Sequence, residues 1–180
     1  ILDDSIYHRA RSKKVELLAR LYDHARKEFS YGFRMLTLCW SDGNTLLPVS
    51  HTLLSTRNPQ NRRGTFSEKT DTRTNGGKQR KLAQRKATEV MLVLLQQAKE
   101  AAIPARYVLF DTWFCCPSSL LSVHKLGYEV VAMAKKSEKI HYLYEGMMQD
   151  VKAIYRNHRK RRGRSKNRFF RSICLLRWRI

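Results

Sequence analysis

The segment over residues 106–111 constrains the fold more than any other part of the chain. It reads Arg-Tyr-Val-Leu-Phe-Asp, a short apolar run that ends in a carboxylate. A short helix is predicted over residues 117–126, because proline at its first position favours a helix start and Gly127 follows its end. A second apolar strand is predicted over residues 128–134. Strand, helix and strand in this order predict the sheet of an α/β protein, with helices covering both faces.

The residues before this unit predict further helices and strands from their apolar spacing and turn signals. We predict a helix over 12–29, a strand over 32–39, a hairpin turn at Asp42-Gly43, an edge strand over 44–55 that contains Pro48, and a helix over 81–102. Residues 57–77 are polar and basic without a period, so they predict a long loop.

Positive charge dominates the chain and is unevenly distributed. Lys and Arg number 36 against 15 Asp and Glu, which gives a net charge of +21. Segregated positive charge indicates a nucleic-acid partner, although a solvated loop and tail are the alternative. No apolar run reaches 18 residues, so no membrane span is predicted. The predicted DNA contacts are Arg9, Arg11, Lys13, Arg62, Arg63, Lys78, Arg80, Lys81, Arg159, Lys160, Arg161 and Arg162.

Acidic residues stand at two places where metal chemistry could occur. Asp3 and Asp4 follow the apolar pair Ile1-Leu2, which is interpreted as the end of an apolar strand, and Asp111 ends its predicted strand. Two-metal phosphoryl transfer needs carboxylates fixed close together around cations that are roughly 3.5–4 Å apart. Asp4 and Asp111 meet this need if their strands are neighbours. The alternative is structural: Asp111 ends its strand or caps the next helix, and Asp4 caps a turn.

Trp113 and Phe114 are interpreted as core residues, with base stacking as the alternative.

Three stretches carry a family resemblance: DDSIYHRARSKKVELLAR over residues 3–20, GFRMLTLCWSDGNT over 32–45 and YVLFDTWF over 107–114. They resemble the DDE-superfamily transposases of bacterial insertion sequences, near insertion-sequence family four. The resemblance implies an RNase H-like fold, an α/β architecture with a mixed sheet and helices on both faces, here incomplete at both ends. It implies Asp4, which precedes Ser5, as the first catalytic metal ligand and Asp111 as the second. Asp3 is the alternative to Asp4, because alternation along a strand lets only one of the pair face the site.

The resemblance also implies an activity and its partners. Two Mg²⁺ or Mn²⁺ ions per site would serve to hydrolyse DNA at transposon ends and to join the 3′-hydroxyl to target DNA. The implied partner is double-stranded DNA, at both the transposon ends and the target. The intact enzyme would bind it as a homodimer, and no membrane partner is implied. The implied location is the bacterial cytoplasm, near the nucleoid. Four scattered cysteines, interpreted as reduced, agree with a cytoplasmic location.

The chain departs from the family in its third carboxylate. That residue is a Glu in a Tyr-x2-Arg-x3-Glu-x6-Lys pattern, and no Tyr in this chain opens such a pattern. We therefore expect a transposase fragment, with a catalytic core over 1–135 and a basic, poorly defined segment over 136–180 that begins an insertion or is frameshifted. Two alternatives remain: a non-catalytic DNA-binding remnant, and a metal-dependent RNase H-like nuclease.

Overall fold

A computed structural model describes residues 1–63 and 71–157 of the chain. The strands are β1 (Leu2–His8), β2 (Leu18–Asp23), β3 (Glu28–Ser41), β4 (Leu46–Leu54), β5 (Arg62–Arg63), β6 (Tyr107–Phe110), β7 (Glu129–Ala132), β8 (Tyr142–Tyr144) and β9 (Met147–Gln149). The helices are α1 (Asn75–Leu82), α2 (Ala87–Glu100), α3 (Pro117–Lys125) and α4 (Val151–Asn157), with a 3₁₀-helix at Pro59–Asn61. These elements confirm a mixed α/β protein.

The long strand β3 organises an antiparallel sheet of five strands. It pairs with β1 along one edge and with β2 and then β4 along the other, while β5 extends the sheet beyond β2. Gly32 lies at the crossing point, where it is opposite both His8 and Ala19. A β-carbon at Gly32 would overlap the carbonyl oxygen of Tyr7, so β1 approaches here as closely as glycine allows.

The hairpin predicted at Asp42-Gly43 is confirmed. Oδ1 of Asp42 accepts hydrogen bonds from the backbone N–H groups of Asn44 (2.9 Å) and Thr45 (2.7 Å), and Gly43 takes a positive φ of 100°. Among the described strands, β4 pairs with β3 alone. Pro48 therefore lies on an edge strand, as predicted, and it faces Cys39 just after a shift in register.

The helix predicted over residues 12–29 is wrong. The segment instead forms turns and strand β2, which returns into β3 by a tight connection. Asp23 closes that connection by accepting hydrogen bonds from the N–H groups of Ala25 and Arg26, and Lys27 takes a positive φ of 55°. The apolar residues matched a helical period by coincidence, and pairing with β3 overrides that local preference.

The predicted loop and the helix that follows it also need correction. Within the predicted loop, the described residues form a 3₁₀-helix, β5 and the start of α1, while residues 64–70 lie outside the described part. The helix predicted over 81–102 is two helices, α1 and α2, because Lys86 between them is extended. Thr74 caps α1 by accepting from the N–H of Gly77 at 3.1 Å.

The strand–helix–strand unit is confirmed as β6, α3 and β7, and its two strands are parallel. α2 and α3 contact each other and share one core with β1, β3 and β6. The opposite face of β6 and β7 exposes Tyr107, Leu109 and Val131. Among the described residues, α2 and α3 share the main core, whereas Ala83 after α1 is buried in a separate cluster with Phe33. The expectation of helices on both faces stays a prediction.

The predicted single mixed sheet is not seen as one hydrogen-bonded unit. β1 contacts β6, but backbone pairing in residues 1–63 and 71–157 divides the strands into a five-stranded sheet, the β6–β7 pair and the β8–β9 hairpin. The β8–β9 hairpin is followed directly by α4. No helix in these two ranges is long and apolar enough to cross a bilayer.

Candidate active site

The alternation of β1 separates the two adjacent aspartates. Leu2, Asp4 and Ile6 lie on the more buried face, whereas Asp3 lies on the exposed face. Leu2 belongs to the main core, so Asp4 sits at the border of that core. Asp4 is opposite Leu36 in the middle of β1, which corrects the expectation that it ends a strand. Of the acidic pair, Asp4 therefore faces the interior.

Arg34 on β3 brings Asp4 and Asp111 into one electrostatic cluster. Its Nη2 donates a hydrogen bond to Oδ2 of Asp4, and these side chains are 31% and 20% exposed. Burial lowers the pKa of Arg34, and the negative charge of nearby Asp111 acts in the opposite direction. Arg34 therefore pairs with Asp4 and also experiences the negative charge of Asp111, from a distant part of the sequence.

Asp111 is fixed by the turn that follows β6. Its Oδ1 accepts a hydrogen bond from the backbone N–H of Trp113 at 3.0 Å. It does not cap α3, because the residue at that N-cap is Cys116. The guanidinium of Arg34 lies over the ring of Trp113, 5.3 Å from its centroid. The turn thus holds Asp111 and Trp113 on the same side of β6 as Arg34.

The two aromatic residues after Asp111 have different environments. Phe114 is fully buried in the main core, which confirms its interpretation as a core residue. Trp113 is 60% exposed, so the same interpretation is wrong for it. The turn at Asp111 directs one ring inward and presents the other beside Arg34.

A basic cleft of about 550 Å³ opens beside Arg34 and Trp113. Its walls come from β2, the end of β4, the connection between α1 and α2, and the first residues of α2. No acidic residue is among the described residues that line it. The start of α2 adds the positive end of a helix dipole. Its basic side chains are Arg20, Arg34, Arg57, Arg85, Lys86 and Lys135.

The predicted DNA contacts that fall within the described residues lie outside this cleft. None of those in the described part of the chain lines the cleft, and residues 159–162 lie outside that part. Arg80 pairs with Glu16 at 2.6 Å, and Arg62 donates to the side chain of Gln84 at 2.9 Å. Arg63 stacks over Tyr31, with 5.1 Å to the ring centroid. Several of these cations are therefore engaged within the fold, and their role in DNA binding stays a prediction.

Sequence reasoning missed Arg34 and most of the cleft. One signal was present: Arg34 shares the alternation of Leu36 and Leu38, which are buried on the core face of β3. A charged residue in phase with core residues requires a partner, and that requirement points to an acidic group on a neighbouring strand.

Two carboxylates fit a divalent cation, although a third is not found. Among residues 1–63 and 71–157, no group of three or more His, Cys, Asp and Glu side chains is placed to hold a metal ion. Asp4 already pairs with a cation that also experiences the charge of Asp111, and carboxylate oxygens are the ligands that Mg²⁺ prefers. Mg²⁺ sites often use only one or two carboxylates, with water and substrate phosphate completing the shell.

Comparison with known families identifies the chain's relatives. The profile of the DDE superfamily endonucleases matches residues 1–171. The chain belongs to this family. No curated protein and no solved structure matches it significantly. Membership in the DDE superfamily endonucleases confirms the resemblance at family level, and it implies a DNA substrate and a nuclease or transposase activity.

Proposed function

We propose that the chain carries two of the metal-binding carboxylates of a DDE transposase, with Asp4 and Asp111 as the ligands of Mg²⁺ or Mn²⁺. The observation that supports this most directly is that Arg34 pairs with Asp4 at the border of the core and also experiences the charge of the exposed Asp111. The intact enzyme would hydrolyse DNA at transposon ends and join the 3′-hydroxyl to target DNA. We assign it to an insertion-sequence group near family four, with an RNase H-like arrangement of β1, β3, β4, β6 and β7.

In this reaction the protein mainly positions the reacting groups and stabilises charge. Bound divalent cations would supply Lewis acidity and offset the charge that develops on the phosphoryl oxygens. Asp4 is held by β1 in mid-strand, and Asp111 is held by its hydrogen bond to the Trp113 N–H. Neither carboxylate acts as a nucleophile in this proposal, since their task is to fix cations against the scissile phosphate.

The basic cleft is the surface that we propose for the DNA backbone. It adjoins the two carboxylates through Arg34 and Trp113. Six cations line it in the described part, and two of them, Arg57 and Arg85, also pair with Glu89 at 3.8 and 3.0 Å. A backbone phosphate in the cleft would contact Arg34 and the start of α2. The double-stranded DNA of a transposon end would thereby be bound beside the two carboxylates.

Calorimetric titration with Mn²⁺ tests the metal assignment. We expect Asp4→Asn and Asp111→Asn each to weaken Mn²⁺ binding by about tenfold or more, since each removes a charged ligand. Asp3→Asn is the matched control, because it makes the same change one residue away on the exposed face of β1. Equal Mn²⁺ affinity in all four proteins would refute the assignment, and a loss in the Asp3 variant alone would transfer the role to Asp3.

A non-catalytic DNA-binding remnant is the second candidate. It is favoured by the finding that no third acidic residue completes the group at Asp4 and Asp111 among the described residues. A plasmid-nicking assay with Mg²⁺ or Mn²⁺ separates the two functions. Cleavage that Asp111→Asn abolishes supports an active endonuclease, whereas Mn²⁺ and DNA binding without cleavage supports the remnant. Strand-transfer products would further distinguish a transposase from a nuclease.

A further inference from the structure

Arg34 pairs with Asp4, one of the two carboxylates that are proposed to bind metal. Its guanidinium bonds to Asp4, lies close enough to Asp111 to feel its charge, and stacks over Trp113. We propose that Arg34 is an internal counter-ion that holds Asp4 and Asp111 in the metal-free protein and moves into the basic cleft when a divalent cation binds. This inference rests on the proposed function, because it takes the two aspartates as the metal ligands.

Electrostatics requires such an exchange. A carboxylate that is only 20% exposed is costly to leave without a counter-charge, so Asp4 needs a cation when no metal is bound. A guanidinium and a divalent ion at the same carboxylates would repel each other across a few ångströms, where solvent screening is weakened by burial. Oδ2 of Asp4, which accepts from Arg34, is also an oxygen that a metal would use. The two cations therefore compete for one position.

The cleft offers Arg34 a second position a short distance away. Arg34 and Trp113 both line the cleft, so the guanidinium already reaches its wall. Guanidinium groups bind phosphate in a bidentate manner, and they stack on aromatic rings such as Trp113. Movement of Arg34 from the carboxylates to a backbone phosphate would then couple metal loading to DNA binding. Arg34 acts in this scheme as a positioning residue.

Titration of Arg34→Gln with Mn²⁺ tests the competition. We expect this variant to bind Mn²⁺ about tenfold more tightly than the wild type, because the competing cation is absent. Arg20→Gln is the matched control: it removes one charge from the same cleft, but its guanidinium lies over Phe29, 4.2 Å from the ring centroid. Unchanged Mn²⁺ affinity in Arg34→Gln, or an equal gain in Arg20→Gln, would overturn the exchange.

DNA binding gives a second measurement. If Arg34 had only a structural role, a divalent cation would not alter the difference in duplex affinity between the wild type and Arg34→Gln. A labelled oligonucleotide duplex is titrated with each protein, in EDTA and in Ca²⁺. With EDTA, Arg34 is paired with Asp4, so Arg34→Gln should weaken duplex binding by less than about twofold. With Ca²⁺, the wild type should bind more tightly than Arg34→Gln by about threefold or more. An equal loss under both conditions would show that Arg34 contacts DNA without any exchange.

The wild-type protein alone also decides the question, even if an Arg34 variant does not fold. Mg²⁺ should change the tryptophan emission when the guanidinium leaves the Trp113 ring, and Trp113→Phe should abolish that change. Saturating Mg²⁺ without a change in emission would contradict the proposal. If Asp4→Asn and Asp111→Asn keep full Mn²⁺ affinity, the proposed function fails. If they lose it while Arg34→Gln gains nothing, only the exchange fails.

Discussion

Replacing Gly32 by alanine should separate β1 from β3 at the point where the two strands approach most closely. The added β-carbon would overlap the carbonyl oxygen of Tyr7 and lie 3.2 Å from its carbonyl carbon and 3.3 Å from the Cα of His8. All three contacts are backbone atoms, so no side-chain rotation relieves them. Relief requires the strands to part by about 1 Å, because unstrained contacts lie near 3.5 Å.

The cost can be worked out from the pairing around Gly32. Parting by about 1 Å stretches the neighbouring backbone hydrogen bonds beyond their normal range, and each contributes roughly 0.5–1.5 kcal/mol. Two weakened bonds cost about 2 kcal/mol, and the preference of a strand for alanine over glycine offsets roughly 0.5–1 kcal/mol, which leaves a net loss of about 1 kcal/mol. For a chain of this length, that corresponds to a fall in Tm of about 2–4 °C.

Urea denaturation followed by circular dichroism measures this loss directly. Gly76→Ala is the matched control, since its β-carbon would meet only the side chain of Arg80, at 3.4 Å, and α1 should gain up to about 1 kcal/mol in helix propensity. A Gly32→Ala protein within about 0.5 kcal/mol of the wild type would refute the close approach of β1 and β3. It would also remove support for the register that places Asp4 beside Arg34, because one pairing sets both.

Three further predictions concern stability. Met91→Ala should lower the free energy of unfolding, measured by urea denaturation, by about 2–5 kcal/mol, because Met91 is fully buried in the main core. The control Gln96→Ala should change it little, because Gln96 is exposed. Thr74→Ala should cost about 1 kcal/mol in the same assay, through the lost cap of α1. Hydrogen bonds from the N–H groups of Arg26 and Ala25 lower the pKa of Asp23. Its contribution to stability is therefore present above about pH 4 and is lost as the pH falls through the lowered pKa. Asp23→Asn should remove this part of the pH dependence of the free energy of unfolding.

Local signals were sufficient for the elements whose ends are marked by turn chemistry. Proline at the start of α3, glycine after it and apolar strands on both sides predicted the parallel unit from residues within one short segment. The Asp42-Gly43 turn likewise predicted its hairpin, because its Asp42 side chain and positive φ at Gly43 are local requirements. Family resemblance added the two aspartates, and the family match confirms that resemblance at the level of the DDE superfamily.

Elements that depend on distant pairing were not predictable in the same way. The residues of β2 match a helical period, and only their pairing with β3 makes them a strand. The break between α1 and α2 depends on Ala83, which is buried in a small cluster with Leu17, Leu18 and Phe33 rather than in the main core. The local sequence does not show where a helix must end so that its residues can be buried in two separate clusters.

The position of Arg34 follows from register, and it links folding to metal binding. Asp4 lies on the core face of β1, so the metal-free chain must neutralise it in order to fold, and Arg34 does so from the neighbouring strand. A counter-ion strong enough to stabilise the metal-free fold necessarily opposes the incoming metal. Substitutions at Arg34 should therefore move fold stability and metal affinity in opposite directions. A carboxylate site without such a cation would bind metal more tightly but would depend on that metal to fold.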